Sequence, residues 1–402
     1  MQAFIGRQPI LDVNQQELGY ALFYNRVAEA DKTSGDNSCT AELQDTSNLL
    51  TRMGTTWLFE NKLLIINVTP AMLQDEFITL FPPQRVVLEL ITDDYEQCLI
   101  NVCKRLCIQG YTIALNIEPN ILIPEEMMML ASYLYFDLTI YTPERLRHLV
   151  AELKQKGKWK FIAKYVERTT QFSICRDIGF DLFQGYFFSH PEKIATSAID
   201  PSHIRMLELL NLLRTNADSD EIENKIKQDV VLPAKLFLFV NSANSGLNRP
   251  IYSIRQALTF IGYRQLYRWI CLQIINSAGH EVGHPLTNMA LCRARFVENL
   301  GKASGKIREV DYLFIIGLFS LLDVILETSM PDLLEKLSPP DDIRHALQDR
   351  TGPYGAWLDI VLACENKNQP YIFELSDSLG LTIETVNSAH IDAICWSENV
   401  RM

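Results

Sequence analysis

The segment FIAKYVERTTQFSICRDIGFDLFQGYFFSHP, Phe161 to Pro191, decides the fold of the first half of this chain. It contains most of one apolar run, Lys160 to Val166, and all of a second, Leu182 to Phe188, and a segment as long as a short helix separates the two. A strand, a helix and a second strand in this order form a parallel crossover unit. Repeats of such a unit build a parallel sheet that is covered by helices.

Similar units occupy the chain as far as about residue 192. The predicted strands are Phe4 to Leu11, Leu18 to Tyr24, Leu63 to Val68, Val86 to Leu90, Thr112 to Asn116, Tyr135 to Tyr141, Lys160 to Val166 and Leu182 to Phe188. The first two strands are expected to form a hairpin, and strands recur about every 20 to 25 residues from the third onward. Almost continuous apolar strands are covered on both faces. This pattern favours a closed TIM-like (β/α) barrel, with a doubly wound open sheet as the alternative.

Helical periodicity replaces the strand pattern after Pro191 and Pro201. The segment Ile204 to Leu213 is amphipathic, and Asp218 and Ser253 each begin a capping box ahead of an apolar helical run. The chain is therefore predicted to consist of two domains, an α/β domain at 1–192 and an all-α domain at 193–402. Each is long enough to bury its own core, and the two are expected to fold separately.

The composition is that of a soluble globular protein, with 48% apolar and 21% charged residues among 402. The formal net charge of -12 argues against a nucleic-acid partner. No signal peptide is evident, and the longest apolar run, Leu313 to Leu322, is too short to span a membrane. The nine cysteines include no CxxC pair and are interpreted as reduced core residues. A cytoplasmic location without membrane attachment is expected.

His280, Glu281 and His284 spell the H-E-x-x-H motif of zinc hydrolases, which requires both histidines on one face of a helix. Gly279 and Pro285 bracket the motif and favour a turn between two helices instead. A zinc hydrolase is kept as an alternative.

Six motifs of the first half resemble, in order and spacing, the landmarks of the EAL phosphodiesterase domain. They are GRQPI (Gly6 to Ile10), ALFYNR (Ala21 to Arg26), INV (Ile66 to Val68), LELIT (Leu88 to Thr92), AKYVE (Ala163 to Glu167) and QGYFFSHP (Gln184 to Pro191). The resemblance covers about 190 residues. It implies a (β/α) barrel that hydrolyses the bacterial second messenger cyclic di-GMP with divalent metal ions.

The site residues of this family are only partly present. The resemblance implies that Gln8, Arg26, Asn67, Glu89, Glu167 and Gln184 are retained site positions. It also implies that Ala21 replaces the naming glutamate, Asn116 and Ile117 replace the paired aspartates, Ile140 replaces the active-site lysine, and Lys164 replaces the glutamate of the AEGVE-type motif. Two-metal hydrolysis requires several carboxylates. We therefore expect a non-catalytic, degenerate domain without a metal or other cofactor.

Two interpretations of the retained polar residues remain open. Asn67, Glu89 and Gln184 either line the barrel mouth and bond to one another, or they still bind nucleotide. Cyclic di-GMP is not expected to bind. The enzymatic alternative is an atypical cyclic di-GMP phosphodiesterase, and a receptor for the nucleotide is a further alternative.

The second half resembles the HDOD domain, an all-helical module related to metal-dependent HD phosphohydrolases. The resemblance is carried by DVVLPAKLFLFVNSAN (Asp229 to Asn244), SIRQALTFIGYRQL (Ser253 to Leu266) and RARFVENLGK (Arg293 to Lys302). Where the hydrolytic relatives have an adjacent His-Asp pair, this chain has Ser320 and Leu321. A domain without metal is expected here too.

An EAL-like domain followed by an HDOD domain implies a bacterial signal-transduction scaffold. The resemblance suggests a role in motility, biofilm or cyclic di-GMP networks, with other signalling proteins as partners and oligomerisation possible. The helical half is expected to carry the partner surface, around Leu247, Ile251 and Tyr252, where a loop leaves apolar residues near a helix junction. A plain turn between helices is the alternative.

Overall fold

The structure is a computed structural model, and it describes residues 3–26, 62–73, 78, 81–189, 200–229, 231–242, 250–277, 285–307, 309–366 and 368–399. The first half forms a closed barrel of eight strands in chain order. The strands are β1 (Ala3–Asp12), β2 (Glu17–Arg26), β3 (Leu63–Val68), β4 (Val86–Leu90), β5 (Thr112–Asn116), β6 (Ala131–Asp137), β7 (Lys160–Lys164) and β8 (Leu182–Gln184). The prediction of a closed barrel is confirmed.

Strand β1 runs antiparallel to both of its neighbours, β2 and β8. All other neighbouring strands are parallel. The carboxyl ends of β2 to β8 therefore meet at one end of the barrel, which we call the mouth. Because Gln8 pairs with Ala21 and Ile10 pairs with Gln184, the amino-terminal half of β1 also reaches the mouth.

Short helices connect the parallel strands from β3 onward. They are α1 (Pro70–Leu73), α2 (Gln97–Ile108), α3 (Glu125–Leu130), α4 (Pro143–Lys156) and α5 (Thr169–Ile178), and a 3-10 turn at Phe187–Ser189 follows β8. One buried apolar side chain from each strand fills the barrel interior: Ile10, Ala21, Ile65, Val87, Ala114, Tyr135, Ile162 and Leu182. Side chains alternate between the two faces of a strand, so the residue two positions beyond each of these interior residues in β3 to β8 lies at the mouth.

The second half is helical, as predicted. Its helices are α6 (Pro201–Arg214), α7 (Ser219–Lys227), α8 (Leu232–Val240), α9 (Ile254–Ser277), α10 (Pro285–Ser304), α11 (Val310–Phe319), α12 (Leu322–Ile325), α13 (Met330–Leu337), α14 (Asp341–Gln348), α15 (Gly352–Glu365), α16 (Gln369–Leu379) and α17 (Ile383–Asn399). In the described parts of the chain, no helix is both long and apolar enough to cross a bilayer.

Helices α10, α15 and α17 of the second half pack against β1 and the 3-10 turn of the barrel. Asn288 Nδ2 donates a hydrogen bond to Glu17 Oε2 across this contact, at 3.3 Å. A small cavity of about 40 Å³ between the two halves is lined by Arg7, Tyr186 and Glu365, among other residues. The separate folding of the halves stays a prediction, and residues 190–199, where the boundary was predicted, lie outside the described residues.

The predicted position of the sixth strand is wrong by four residues at each end. The strand begins at Ala131, directly after α3, and ends at Asp137 instead of Tyr141. Asp137 Oδ1 accepts hydrogen bonds from the backbone N of Thr139 (2.8 Å) and from its hydroxyl (2.6 Å). Such an aspartate turn offers the backbone an alternative to the sheet ladder, and it ends the strand here.

The described cysteines form no disulfides. Cys103, Cys175, Cys271, Cys292 and Cys364 are buried, as a core interpretation requires. Cys98 is exposed because it lies on the solvent side of α2, so the core interpretation is wrong for this residue. Cys39 lies outside the described residues.

Candidate functional site at the barrel mouth

The barrel mouth is ringed by polar side chains, one from each of several strands. By alternation with the interior residues, these are Gln8, Asn67, Glu89, Asn116, Asp137, Lys164 and Gln184. The sequence identified all of these except Asp137. Asp137 was missed because β6 was placed four residues too late, which moved the strand end to Ile140.

An ion pair crosses the mouth between β4 and β7. Lys164 Nζ lies 2.6 Å from Glu89 Oε1, and both side chains are buried. Because β4 and β7 are not neighbours in the barrel, the pair spans the interior from one wall to another. The ammonium group neutralises the carboxylate that the resemblance implies as a metal ligand.

Tyr135 lies in the barrel interior close to this ion pair. Lys164 Nζ is 5.3 Å from the centroid of the Tyr135 ring. Burial and, secondarily, the negative charge of Glu89 raise the pKa of Tyr135 well above its ordinary value, so its hydroxyl stays protonated. Sequence reasoning placed Tyr135 at the start of β6 and gave it no role, whereas the structure places its side chain in the barrel interior, below the ion pair.

Part of the polar lining is bonded to itself. Gln184 Nε2 donates to Gln8 Oε1 at 2.9 Å, and Asn116 Nδ2 donates to the carbonyl oxygen of Leu90 at 3.4 Å. At or just below the mouth, three buried oxygen atoms form no hydrogen bond with the described residues: Glu89 Oε2, Gln184 Oε1 and the Tyr135 hydroxyl. The lining is therefore polar and only partly satisfied by its own members.

Several predicted site residues lie away from this ring. Ala21 is inside the barrel, below the mouth, and Ile117 packs against the core outside it. Ile140 is in the turn after β6 and 47% exposed, so its predicted place at a strand end is wrong. Glu167 is exposed beyond β7, where its backbone N donates to Gln171 Oε1. The side chain of Arg26 lies outside the described residues.

The mouth does not fit a pair of divalent metal ions. Two metal ions need several carboxylate ligands. Glu89 is instead paired with the ammonium group of Lys164 at 2.6 Å. Asp137 accepts two hydrogen bonds from Thr139. Among the residues that the structure describes, no three His, Cys, Asp or Glu side chains are close enough together to hold a metal ion.

In the helical half, the guanidinium group of Arg293 lies beside Ser320, one of the two residues that stand where the hydrolytic relatives have an adjacent His-Asp pair. Arg293 is buried and donates to Ser320 Oγ at 3.0 Å, and its Nε and Nη2 donate to the two oxygens of Glu365 at 2.8 and 2.7 Å. Leu321, next to Ser320, is buried and apolar. The guanidinium is paired with Glu365 and uses the Ser320 oxygen as an acceptor, and Leu321 offers no ligand atom, so these two positions supply no carboxylate or imidazole for a metal ion.

The predicted partner surface is only partly exposed. Ile251 is 9% exposed because its side chain packs in the hydrophobic core, so its assignment to a surface is wrong. Its backbone N and O both bond to the side chain of Asn241 at 2.7 Å. Tyr252 is 78% exposed. Leu247 and the H-E-x-x-H residues His280, Glu281 and His284 lie outside the described residues.

The HDOD domain family model matches residues 202–345 of this chain. The Uncharacterized protein YuxH of Bacillus subtilis (strain 168) is 28% identical over 411 residues, which cover 100% of this chain and 99% of YuxH. The Cyclic di-GMP phosphodiesterase CdgJ of Vibrio cholerae is 27% identical over 412 residues, which cover 99% of this chain and 93% of CdgJ.

Solved structures with EAL domains also match. The Bacillus subtilis YkuI protein, with an EAL domain and in complex with c-di-GMP and calcium, is 16% identical, with a TM-score of 0.39 over 58% of this chain and 74% of its own. An EAL domain protein from Listeria monocytogenes EGD-e is 17% identical, with a TM-score of 0.37 over 47% of this chain and 88% of its own.

The prediction of an HDOD domain in the helical half is confirmed by the family model.

Proposed function

We propose that this chain is a non-catalytic signalling protein of the bacterial cyclic di-GMP network, which acts by binding other proteins. The observation that carries the proposal is the buried ion pair between Lys164 and Glu89 at the barrel mouth. Its place in the network is supported by the HDOD domain and by the whole-length similarity to CdgJ, a protein named as a cyclic di-GMP phosphodiesterase.

The ion pair acts against catalysis in two ways. Lys164 occupies one oxygen of Glu89, and its positive charge at 2.6 Å raises the free energy of any cation bound there. Removing the lysine from the carboxylate to admit a metal would leave a buried, uncompensated charge, which costs about 3–5 kcal/mol. Metal-assisted attack of water on a phosphodiester therefore lacks its first requirement.

The partner surface that we propose lies on the helical half. Leu238 and Tyr252 are 75% and 78% exposed, and Phe239 is also exposed. The hydrogen bonds between Asn241 and Ile251 hold the end of α8 next to the residues that precede α9, so these side chains belong to one region. Exposed apolar side chains of this size mark interaction sites when they are grouped. Signalling partners in motility or biofilm control are part of the proposal, as is a cytoplasmic location.

The second candidate function is a cyclic di-GMP phosphodiesterase with an altered metal site. The name of CdgJ and the presence of Asp137 at the mouth favour it, because Asp137 is a second strand-end carboxylate beside Lys164. A conformational change that released Glu89 from Lys164 would be needed before both carboxylates could serve a metal.

Incubation of the full chain with cyclic di-GMP and Mg²⁺ or Mn²⁺ tests the first part of the proposal. We expect no linear or mononucleotide product. Metal-dependent turnover that is lost in Glu89→Gln would refute the non-catalytic function and favour the second candidate.

A pull-down from the source cell tests the proposed partner surface. The double variant Leu238→Asp/Tyr252→Asp should lose a partner, whereas the control Ile108→Asp on the barrel surface should keep it. Retention of every partner by the double variant would contradict the proposed surface.

A further inference from the structure

A cavity of about 270 Å³ lies within the helical half, away from the barrel mouth. It lies between α6, α9, α11 and α14 and is open to solvent on one side, and its lining includes Arg214, Tyr263, Arg264, Tyr267, Arg268 and Tyr312. No motif of the sequence pointed to it, and the proposed function does not use it.

Three tyrosine rings form the aromatic part of the cavity wall. The Tyr263 hydroxyl donates to the carbonyl oxygen of Ala217 at 3.1 Å, whereas the hydroxyl groups of Tyr267 and Tyr312 bond to none of the described residues. Burial raises the pKa of Tyr267, so its hydroxyl remains a hydrogen-bond donor at neutral pH. Flat aromatic walls with hydroxyl donors suit a planar ring that carries acceptor atoms.

Arg268 is held rigidly at the cavity. Its guanidinium lies 4.0 Å from the centroid of the Phe314 ring, and Nη1 donates to Glu298 Oε1 (2.9 Å) and Asp311 Oδ1 (3.0 Å). Its Nε and Nη2 groups form no hydrogen bond within the described part of the chain. Two adjacent N–H donors in a fixed plane match the oxygens of a phosphate or carboxylate.

Helix α9 adds positive potential at the same place. Gly262 (φ 74°, ψ 159°) breaks α9, so a new helical segment begins at Tyr263 and continues to Ser277. Tyr263, Arg264 and Tyr267 in the first turns of this segment line the cavity. The amino end of a helix carries a partial positive charge and favours anions.

The arginines of the cavity lining outnumber its carboxylates, so positive charge is available to an anionic ligand. Arg264 and Arg268 both pair with Asp311, whereas Arg214 forms no hydrogen bond or ion pair with the described residues. Glu309 is the other carboxylate of the lining, against three arginines in total. In a chain of net charge -12, this local excess of cations stands out.

We propose that this cavity binds a small planar aromatic anion, with its ring against the tyrosines and its phosphate or carboxylate against Arg268 and Arg214. The volume lies just below the range of about 300–1,000 Å³ of drug-sized ligand pockets. A mononucleotide or a smaller aromatic acid is therefore within its size, and a cyclic dinucleotide is too large.

Calorimetric titration of the full chain with four probes tests the proposal. The probes are guanosine 5′-monophosphate, 4-hydroxybenzoate, guanosine and inorganic phosphate. We expect at least one of the two aromatic anions to bind with a Kd of about 1 mM or tighter, and to bind at least about tenfold more tightly than guanosine or phosphate. Preference for the nucleotide or for the benzoate shows which of these two aromatic anions the cavity fits better.

Variants locate the binding. Arg214→Ala should weaken the tighter probe by about tenfold or more, whereas Arg147→Ala, a matched exposed arginine on the barrel, should leave it unchanged. Because Arg268 also neutralises buried Glu298, Arg268→Gln is interpreted only if its unfolding midpoint shows a folded protein, and Tyr312→Leu provides a second cavity variant. Three results would overturn the proposal. They are no binding of either aromatic anion, binding of inorganic phosphate as tight as that of the aromatic anions, and binding of the tighter probe that is unchanged in both Arg214→Ala and Tyr312→Leu.

Discussion

Lys164 Nζ and Glu89 Oε1 lie 2.6 Å apart across the inside of the barrel, although 75 positions separate the two residues in the chain. Each residue stands at the carboxyl end of its strand, two positions beyond an apolar side chain that fills the barrel. The pair therefore spans the bottom of the mouth as a neutral, hydrogen-bonded unit. Its consequences can be measured separately for stability and for metal binding.

Glu89→Gln is expected to destabilise the protein by about 3–5 kcal/mol, because it leaves the buried ammonium of Lys164 without its counter-charge. Urea unfolding at pH 7 measures the change. The double variant Glu89→Gln/Lys164→Met removes both charges and should recover most of the loss. The surface pair of Lys104 and Glu126 is the control, and Glu126→Gln should destabilise the protein far less than Glu89→Gln. Equal effects of the two single variants would show that the mouth pair is solvated.

The sequence predicted β3, β4 and β5 to the residue, because each is an apolar run with turn residues or a helix pattern on either side. It misplaced β6, because α3 passes into this strand at Leu130 and Ala131 without a glycine or proline. The end of the strand depends on the side chain of Asp137 bonding to Thr139. A propensity pattern does not show such a bond.

Glu89 and Lys164 were both recognised from the sequence as strand-end residues, but their direct contact was not. Which strand ends face each other across a barrel depends on the stagger of the strands, and this is a property of the closed sheet. The cavity of the helical half was also not predictable, because its lining comes from four helices whose mutual packing the apolar pattern does not specify.

Glu298 is expected to make stability depend on pH in the acidic range. Burial raises its pKa, but the hydrogen bonds from Arg268, Lys302 and Arg295, with the charge of Arg268, outweigh burial and lower the pKa from 4.5 to about 2. The folded state thus binds the proton more weakly than the unfolded state, and the contribution is fully present above the unfolded pKa and lost as pH falls toward 2.

Glu298→Gln should therefore cost on the order of 3 kcal/mol at pH 7, and less as the pH falls through the window between 4.5 and about 2. Urea unfolding of both proteins across this range gives the comparison. Glu335→Gln, at an exposed position of α13, serves as the control and should change the free energy of unfolding little. A difference that stays constant from pH 7 to the acid limit would mean that packing, and not charge, is lost in the variant.

Gly317 allows α11 to approach α10 closely. A Cβ at this position would lie 2.6 Å from the Cα of Ala294 and 2.7 Å from its N, both of which are backbone atoms. Gly317→Ala is expected to destabilise the chain by about 1–3 kcal/mol, because the helices must move apart. Gly301→Ala meets the end of the Leu313 side chain and no backbone atom, and it is the matched control with a smaller effect. Thermal unfolding distinguishes the two, and a larger loss in Gly301→Ala would show that the helices adjust more easily than the side chain.

Lys164→Glu is expected to create a mouth that binds a divalent metal ion. The variant places a second carboxylate opposite Glu89, near Asp137 on the neighbouring strand. Three carboxylates with Asn67 beside Glu89 provide the hard oxygen ligands that Mn²⁺ and Mg²⁺ require. Without metal, the repulsion between the two buried carboxylates should lower the unfolding temperature.

Added Mn²⁺ should raise the unfolding temperature of Lys164→Glu in proportion to the logarithm of its concentration, because the ion binds the folded state alone. Lys164→Met, which removes the ammonium without adding a ligand, should respond less, and the natural chain should not respond at all. A shift of the natural chain that equals that of Lys164→Glu would mean that Lys164 does not block the site, and the non-catalytic function would then lose its main support. A shift in neither protein would show that the mouth cannot arrange its carboxylates around an ion even when three are present.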